Sequence, residues 1–383
     1  MINQITIQNF KSVVNASFSL STFNVMIGAN GCGKSNILEA IAIAAASSSN
    51  KLDYEYFANR GIRVVEPLFM LPAFEDVNAN EIQLHIKTSD KDVSEFKIRY
   101  NKDAKPPRWE DANLSFVEFA ELLKKNNVQT KNDLIKLLEG ENPEIILNII
   151  AEAHDGKLSI KPTCKGLLNF TIYSLEETIL RKADNDSRLY PLGRHGEGLF
   201  AYLKDLANRE DGTAFLQEII ENLEILDWFD GMEIPETQLS SEFNIKLRDR
   251  YIDEAISYFD QRSTNEGFLY LLFYLTLIIS DETPTFFAIE NIDASFNPKL
   301  CREVVKRLTA LAKKHGKQII ATTHNPSVLD GLDIMNEDHE LLVVRRNIDG
   351  YTKVNNVETK GMLNMTLSEA WLKGFIGGLP DNF

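Results

Sequence analysis

The sequence has little cysteine: Cys32, Cys164 and Cys301 lie scattered over 383 positions. That spacing supports neither a disulfide framework nor a zinc site. Long apolar runs are also missing. The longest, Phe268 to Ile279, carries Tyr270, Tyr274 and Thr276 and is too short and too polar to span a bilayer. No N-terminal leader-like apolar region is present. A cytoplasmic protein without a membrane partner is the expectation. Positive charge is in deficit as well, with 41 Lys and Arg against 56 Asp and Glu, a net charge of -15. Chains that coat nucleic acid usually show the opposite balance, because phosphate contacts dominate their affinity. Direct nucleic-acid binding is therefore a secondary reading. It rests on a local group, Lys97, Arg99, Lys102, Lys105 and Arg108, which reads equally as a solvated face. Repeats and low-complexity blocks are absent.

What the sequence does have is Gly28-Ala29-Asn30-Gly31-Cys32-Gly33-Lys34-Ser35, a match to G-x-x-x-x-G-K-[ST]. Glycines let the backbone curl so that several N–H groups converge on one polyphosphate. Lys34 supplies a point charge to the β- and γ-phosphates, and Ser35 offers a hydroxyl to magnesium. The flanks fit: 23–27 reads as a buried strand and 36–41 as a helix, so a helix N-terminus faces the anion. Asn30, Gly31, Cys32, Gly33 and Asn36 complete the expected cradle. Nucleoside triphosphate binding is implied, with ATP and Mg2+ as cofactors. Cys32 reads either as a redox-sensitive thiol or as an inert small filler.

Along the chain, Ile2 to Ile7 alternates and predicts a half-buried strand, followed by a second at 16–20. The P-loop helix is expected to end near Ser47-Asn50, and 57–64 reads as a turn flanked by Arg60 and Arg63. Alternation at 82–86 and 96–100 predicts antiparallel strands. From Asn101 the pattern changes. Pro106-Pro107 breaks regular structure, and amphipathic stretches at 116–125, 134–138 and 145–153 predict a short helical insertion over 101–165. Residues 170–173 and 243–247 read as strands. The Gly-punctuated turn 192–199, with Arg194 and His195, opens a helix; spacing alone does not bring these two to the site. The tail beyond 359, with Trp371, Phe375 and Gly377-Gly378, reads either as packing on the body or as a docking segment.

Phe286-Phe287-Ala288-Ile289-Glu290 is an apolar run ending in an acid, the pattern of a buried parallel strand presenting a carboxylate where α/β sheets bind ligands. Beside a P-loop, Glu290 is the expected magnesium acid. Gln318 to Thr322 is a second buried strand running into Thr323 and His324, where an imidazole reaches toward a γ-phosphate.

In this order the motifs resemble the ABC-type ATPase heads of the RecF, SMC and OLD group, and more narrowly the small bacterial ATPases of antiphage defence systems. The P-loop is GANGCGKSN (28–36), the signature STNEG (263–267), the Walker B strand FFAIEN (286–291), the D-loop IDASFNP (292–298) and the His switch TTHNP (322–326). The opening IQNFKSV and the RGIRV segment resemble the group too. The resemblance implies an α/β P-loop NTPase of ABC type, with a mixed sheet core, an antiparallel β subdomain, a helical signature lobe and the short insertion, spanning 1–383 as one head. It implies that Asn265, Glu266 and Gly267 meet the γ-phosphate held by a second copy, in a head-to-tail dimer with two ATP molecules between subunits. Asp293 to Ser295 would cross that interface, and His324 would switch on the γ-phosphate.

Two positions depart from the pattern. Where the family usually has a glutamate after the Walker B acid, this sequence has Asn291, which cannot act as a general base. Either turnover is slow or another residue, Asp293 first, takes over. In the signature, Asn265 stands where serine is usual, a change of tuning since asparagine still donates to phosphate. No Q-loop glutamine is evident between the P-loop helix and Glu81. Three functions follow: an ATPase whose dimerisation gates a separate effector, plausibly a nuclease, in antiphage defence; a DNA-repair or chromosome-handling ATPase; or a non-hydrolysing ATP-dependent scaffold. The sequence carries no nuclease constellation, and the stretch after His324 is too short for a toprim-type domain, so the effector is expected on another chain.

Overall fold

The structure is a computed structural model and describes residues 1–90, 92–112, 164–182, 191–234, 245–253, 258–357 and 365–379. Alternating burial shapes β1 (Ile2–Phe10) and β2 (Val13–Ser19), whereas β3 (Phe23–Ile27) is apolar-faced and buried throughout. The P-loop then feeds α1 (Lys34–Ser48), whose run of alanines lets it lie buried on nearly every side. A short helix α2 (Tyr54–Asn59) follows, capped by Asp53, whose carboxylate accepts from Tyr56 N–H. The sequence suggested a turn over 57–64; the Asp53 cap instead organises the residues ahead of it into a helix, and the turn begins at Arg60.

β4 (Glu81–Thr88), β5 (Val93–Asn101) and β6 (Arg108–Asp111) complete an antiparallel sheet of order β2-β1-β4-β5-β6. The expected insertion therefore does not begin at Asn101: Asn101 pairs with Arg108 across a hairpin. Its three helical stretches lie outside the described residues. The basic group on this sheet is partly neutralised, since Lys97 pairs with Glu95 and Arg99 with Glu110.

Next come β7 (Ile172–Tyr173), α3 (Glu177–Leu180), α4 (Leu199–Ala207), α5 (Gly212–Leu223), β8 (Phe229–Glu233) and β9 (Lys246–Asp249). The strand expected at 243–247 is found at 246–249, while 243 and 244 lie outside the described residues. The long apolar run becomes α6 (Glu266–Ile279), buried almost all round, as a helix without a polar face must be. Then follow β10 (Phe286–Ile289), α7 (Pro298–Lys314), β11 (Gln318–Thr322), α8 (Pro326–Leu329), β12 (His339–Arg346), β13 (Thr352–Asn356) and α9 (Leu367–Leu372).

The central sheet runs β13-β12-β3-β11-β10-β7, parallel except for β13. Side chains alternate across it. Phe287, Ile289 and Val25 enter the core shared with α4 to α7, while Phe286, Ala288 and Met26 enter the core shared with α1 and the antiparallel sheet. Gln318 ties the two sheets together: its amide donates to Ile2 O (2.7 Å) and Ser21 O (3.0 Å), and its Oε1 accepts from Ile2 N–H (3.0 Å). The tail packs on the head through Trp371, 4% exposed, while Leu372 and Phe375 on the same segment stay exposed. Among the described residues, no helix is long and apolar enough to cross a membrane.

Candidate functional site

Loops at the carboxyl ends of β3, β10 and β11 meet at one edge of the central sheet, because parallel register brings strand ends together. Gly33 starts α1 with φ 109°, and a Cβ there would lie 2.1 Å from Thr352 Oγ1; only glycine suits both the angle and the space. Thr352 braces the loop from behind, donating to Cys32 O (2.8 Å) and sharing a hydrogen bond with Ser12 Oγ (2.7 Å). Asn36 donates to the same Ser12 hydroxyl (2.7 Å), and Arg346 Nε donates to Gly31 O (3.0 Å). Asn30 and Gly31 form the exposed tip. Cys32 is buried, and burial pushes its thiol above the ordinary range. It is held as a thiol, which favours the inert-filler reading.

Lys34 Nζ donates to Gly28 O (2.8 Å) and Ala29 O (3.3 Å). Burial lowers its pKa, with Cys32 and Glu290 acting to restore it. Ser35 Oγ donates to Glu290 Oε1 at 2.6 Å, so the two expected magnesium residues adjoin. A hydroxyl and a carboxylate are hard oxygen ligands suited to magnesium, which usually completes its shell with phosphate oxygens and water. In keeping with that mode, no cluster of three His, Cys, Asp or Glu among the described residues could cage a metal alone.

Past Glu290 the chain turns sharply. Asn291 is exposed at φ 52°, and its N–H donates to Thr322 Oγ1 (3.0 Å). Asp293 accepts from Thr323 Oγ1 (2.6 Å), so the end of β11 fastens the D-loop through two threonines. His324 emerges exposed beside them. Partial desolvation and the charge of Lys34 lower its pKa below the ordinary histidine value, against a weaker pull from Asp293. The signature turn opens α6. Asn265 Oδ1 caps α6 by accepting from Phe268 N–H (2.8 Å), and Glu266 opens that helix. A Cβ on Gly267 would lie 3.0 Å from Ser295 O, so the signature turn packs on the D-loop. Among the described residues no hydrogen bond joins 265–267 to the P-loop of the same chain.

Residues 1–339 match the family described as the RecF/RecN/SMC N-terminal domain. The chain belongs to this family. As a RecF/SMC-type chain, it has the fold of an ATP-binding ABC-type ATPase head. It is similar to an Smc head solved bound to the C-terminal winged-helix domain of ScpA, at 17% identity and TM-score 0.55, covering 94% of this chain and 98% of that one. Two further Smc heads, from Pyrococcus furiosus and Pyrococcus yayanosii, give TM-scores of 0.51 at 15% and 12% identity. They cover 97% and 98% of this chain, and 98% and 99% of theirs. At these identities the likeness carries the fold alone. Comparison with curated proteins returns no significant match.

Several residues of this head escaped the sequence reading. Thr322 and Thr323 hold the D-loop, and Thr352 and Arg346 hold the P-loop. Arg181 Nη1 donates to Gln261 O, Arg262 O and Thr264 O at 2.9–3.1 Å, clamping the signature turn. The buried Glu39 pairs with both Lys11 and Arg63, which joins the IQNFKSV and RGIRV segments across α1. The last link had a sequence signal in those two motifs, and Thr322 and Thr323 lie in the TTHNP motif, which gave no sign of their hold on the D-loop.

Proposed function

We propose that this protein is a nucleotide-gated clamp: Mg·ATP binds at the P-loop and joins two heads, and the ATP-bound pair acts on a separate protein. The observation that carries the reading is the contact between Ser35 and Glu290, with the signature turn packed on the D-loop and joined by no hydrogen bond to the P-loop among the described residues. Such a split site requires a second copy to bring Asn265, Glu266 and Gly267 to the γ-phosphate. When bound, ATP supplies the phosphoanhydride whose state the clamp reads. Lys34 and the loop amides would neutralise the phosphates, Ser35 and Glu290 would hold the magnesium ion, and His324 would offer an N–H to the γ-phosphate.

Asn291 at the usual glutamate position supports slow turnover and a long-lived ATP-bound dimer, with Asp293 as the substitute base. Antiphage defence, with a nuclease as the gated effector, is the setting we infer from the resemblance of the motifs. That two of the similar Smc heads were solved bound to ScpA domains supports a partner on another chain. The likeness to Smc heads also favours a second reading, a chromosome-handling ATPase that grips DNA. The net charge of -15 and the paired Lys97 and Arg99 weigh against it.

The deciding experiment is phosphate release at saturating Mg·ATP against Lys34→Ala, with the molar mass measured by light scattering in a non-hydrolysable ATP analogue. An analogue-dependent doubling of mass that Lys34→Ala abolishes is expected. A wild-type protein that stays monomeric while saturated with the analogue would overturn the clamp.

A further inference from the structure

Arg194 is half-buried, and no ion pair reaches it among the described residues. Its backbone lies at the carboxyl edge of the sheet: Arg194 O accepts from Ser174 N–H (2.9 Å), directly after β7, and Tyr173 O of β7 accepts from Glu290 N–H (2.8 Å). One strand therefore separates it from the magnesium acid. Its Nε is shut off from solvent without a hydrogen-bond partner, packed so closely that a Cβ on Gly61 would lie 3.5 Å away. No hydrogen bond or ion pair reaches its guanidinium among the described residues.

The carboxylates whose fields act on it are, in order, Glu290, Glu197, Glu176 and Glu39. Each is already engaged. Glu290 accepts from Ser35 (2.6 Å), Glu197 from His195 N–H (2.9 Å), Glu176 lies 3.2 Å from His195 Nδ1, and Glu39 holds Lys11 and Arg63. A buried guanidinium carries five donors and no acceptor, and leaving it unpaired costs free energy that an arriving anion would recover. The field of Glu290 acts on both Lys34 and Arg194, which belong to different elements.

We propose that Arg194 is a nucleotide-binding residue, its guanidinium reserved for the terminal phosphate of the triphosphate held by the P-loop. Ser35 and Glu290 would hold the metal beside the terminal phosphates, and Arg194 would add a cation to the same anion from the neighbouring strand. The turn that carries Arg194 continues through Gly198 into α4 of the signature lobe. Pairing with a γ-phosphate then pulls on the lobe, and ADP does not.

The inference rests on the ATP-binding reading, and the test separates the two. Affinities for ADP and for a non-hydrolysable ATP analogue, with magnesium, are measured by calorimetry for wild type, Lys34→Ala, Arg194→Gln and Arg194→Lys, alongside melting of each ligand-free protein. Loss of a charge-assisted hydrogen bond predicts that Arg194→Gln binds the analogue roughly 10- to 100-fold more weakly, with ADP changed less than about threefold. Its ligand-free melting temperature is expected to hold or rise, since an unpaired buried charge has gone. Arg194→Lys recovers part of the preference for the triphosphate. Equal losses for both nucleotides, or an unchanged analogue affinity in a folded Arg194→Gln protein, overturn the assignment alone. A wild type that binds neither nucleotide overturns the ATP reading with it.

Discussion

Ser35 and Glu290, 255 positions apart in the chain, are joined by a hydrogen bond of 2.6 Å from hydroxyl to carboxylate. One begins the P-loop helix and the other ends a core strand, and the parallel pairing of β3, β11 and β10 aligns their ends. Replacing either ligand, as Ser35→Ala or Glu290→Gln, should lower the magnesium-dependent part of ATP affinity by roughly 10–100-fold, as loss of a metal-site group typically does. Affinity in a chelator should move little. Calorimetry with and without magnesium checks this, and equal losses in both buffers would assign the pair a structural role only.

Asn291 sits at φ 52°, a conformation that asparagine adopts more readily than most residues. Installing the missing base as Asn291→Glu should raise phosphate release, with about 10²-fold as the lower end of what general-base help usually contributes. The same change places a less tolerant side chain in the left-handed region, so a stability loss of about 1 kcal/mol is expected in denaturant titration. A variant that binds ATP normally and turns over no faster would show that Asp293 or a second subunit already supplies the base.

His324 is held below its ordinary pKa by burial and by Lys34. Below about pH 6.5 the unfolded chain takes up this proton before the folded one does, so stability falls as pH drops through the window beneath that value and is constant above it for this group. His324→Gln keeps an N–H donor without the titration. The melting temperature of wild type, followed from roughly pH 7 to pH 5, should fall more steeply than that of the variant. Parallel curves would contradict the shift.

Arg181 holds three carbonyls of the loop leading into α6. Arg181→Ala should leave monomer affinity for ATP within about twofold, because among the described residues no hydrogen bond joins it to the P-loop, yet cost about 1–3 kcal/mol in loop order through the unsatisfied carbonyls. The loss should appear in ATP-driven dimerisation, measured by light scattering over a protein dilution series. An unchanged dimer constant would remove Arg181 from the clamp.

Sequence alone determined the ends of the buried strands and the chemistry at those ends. The runs at 23–27, 286–289 and 318–322 are apolar because both sheet faces are covered, so Lys34, Ser35, Glu290 and His324 were legible as strand-end residues. Local alternation also gave strands of the antiparallel sheet, whereas the apolar run 268–279 was read only as too short and too polar to span a bilayer and proved to be a buried helix. The Asp53 cap is equally local, but the reading of 57–64 as a turn did not use it.

Tertiary structure alone decided what holds these groups. Thr352 behind the P-loop, Thr322 and Thr323 under the D-loop, Arg181 on the signature turn and Arg194 beside Glu290 come from segments far apart in the chain. Threonines and arginines are common on any surface, and nothing in their spacing distinguishes a brace from a solvated side chain. Their roles arise only when the sheet order β13-β12-β3-β11-β10-β7 sets distant strands side by side, because hydrogen bonds and buried charges depend on separations in space that the linear order does not encode.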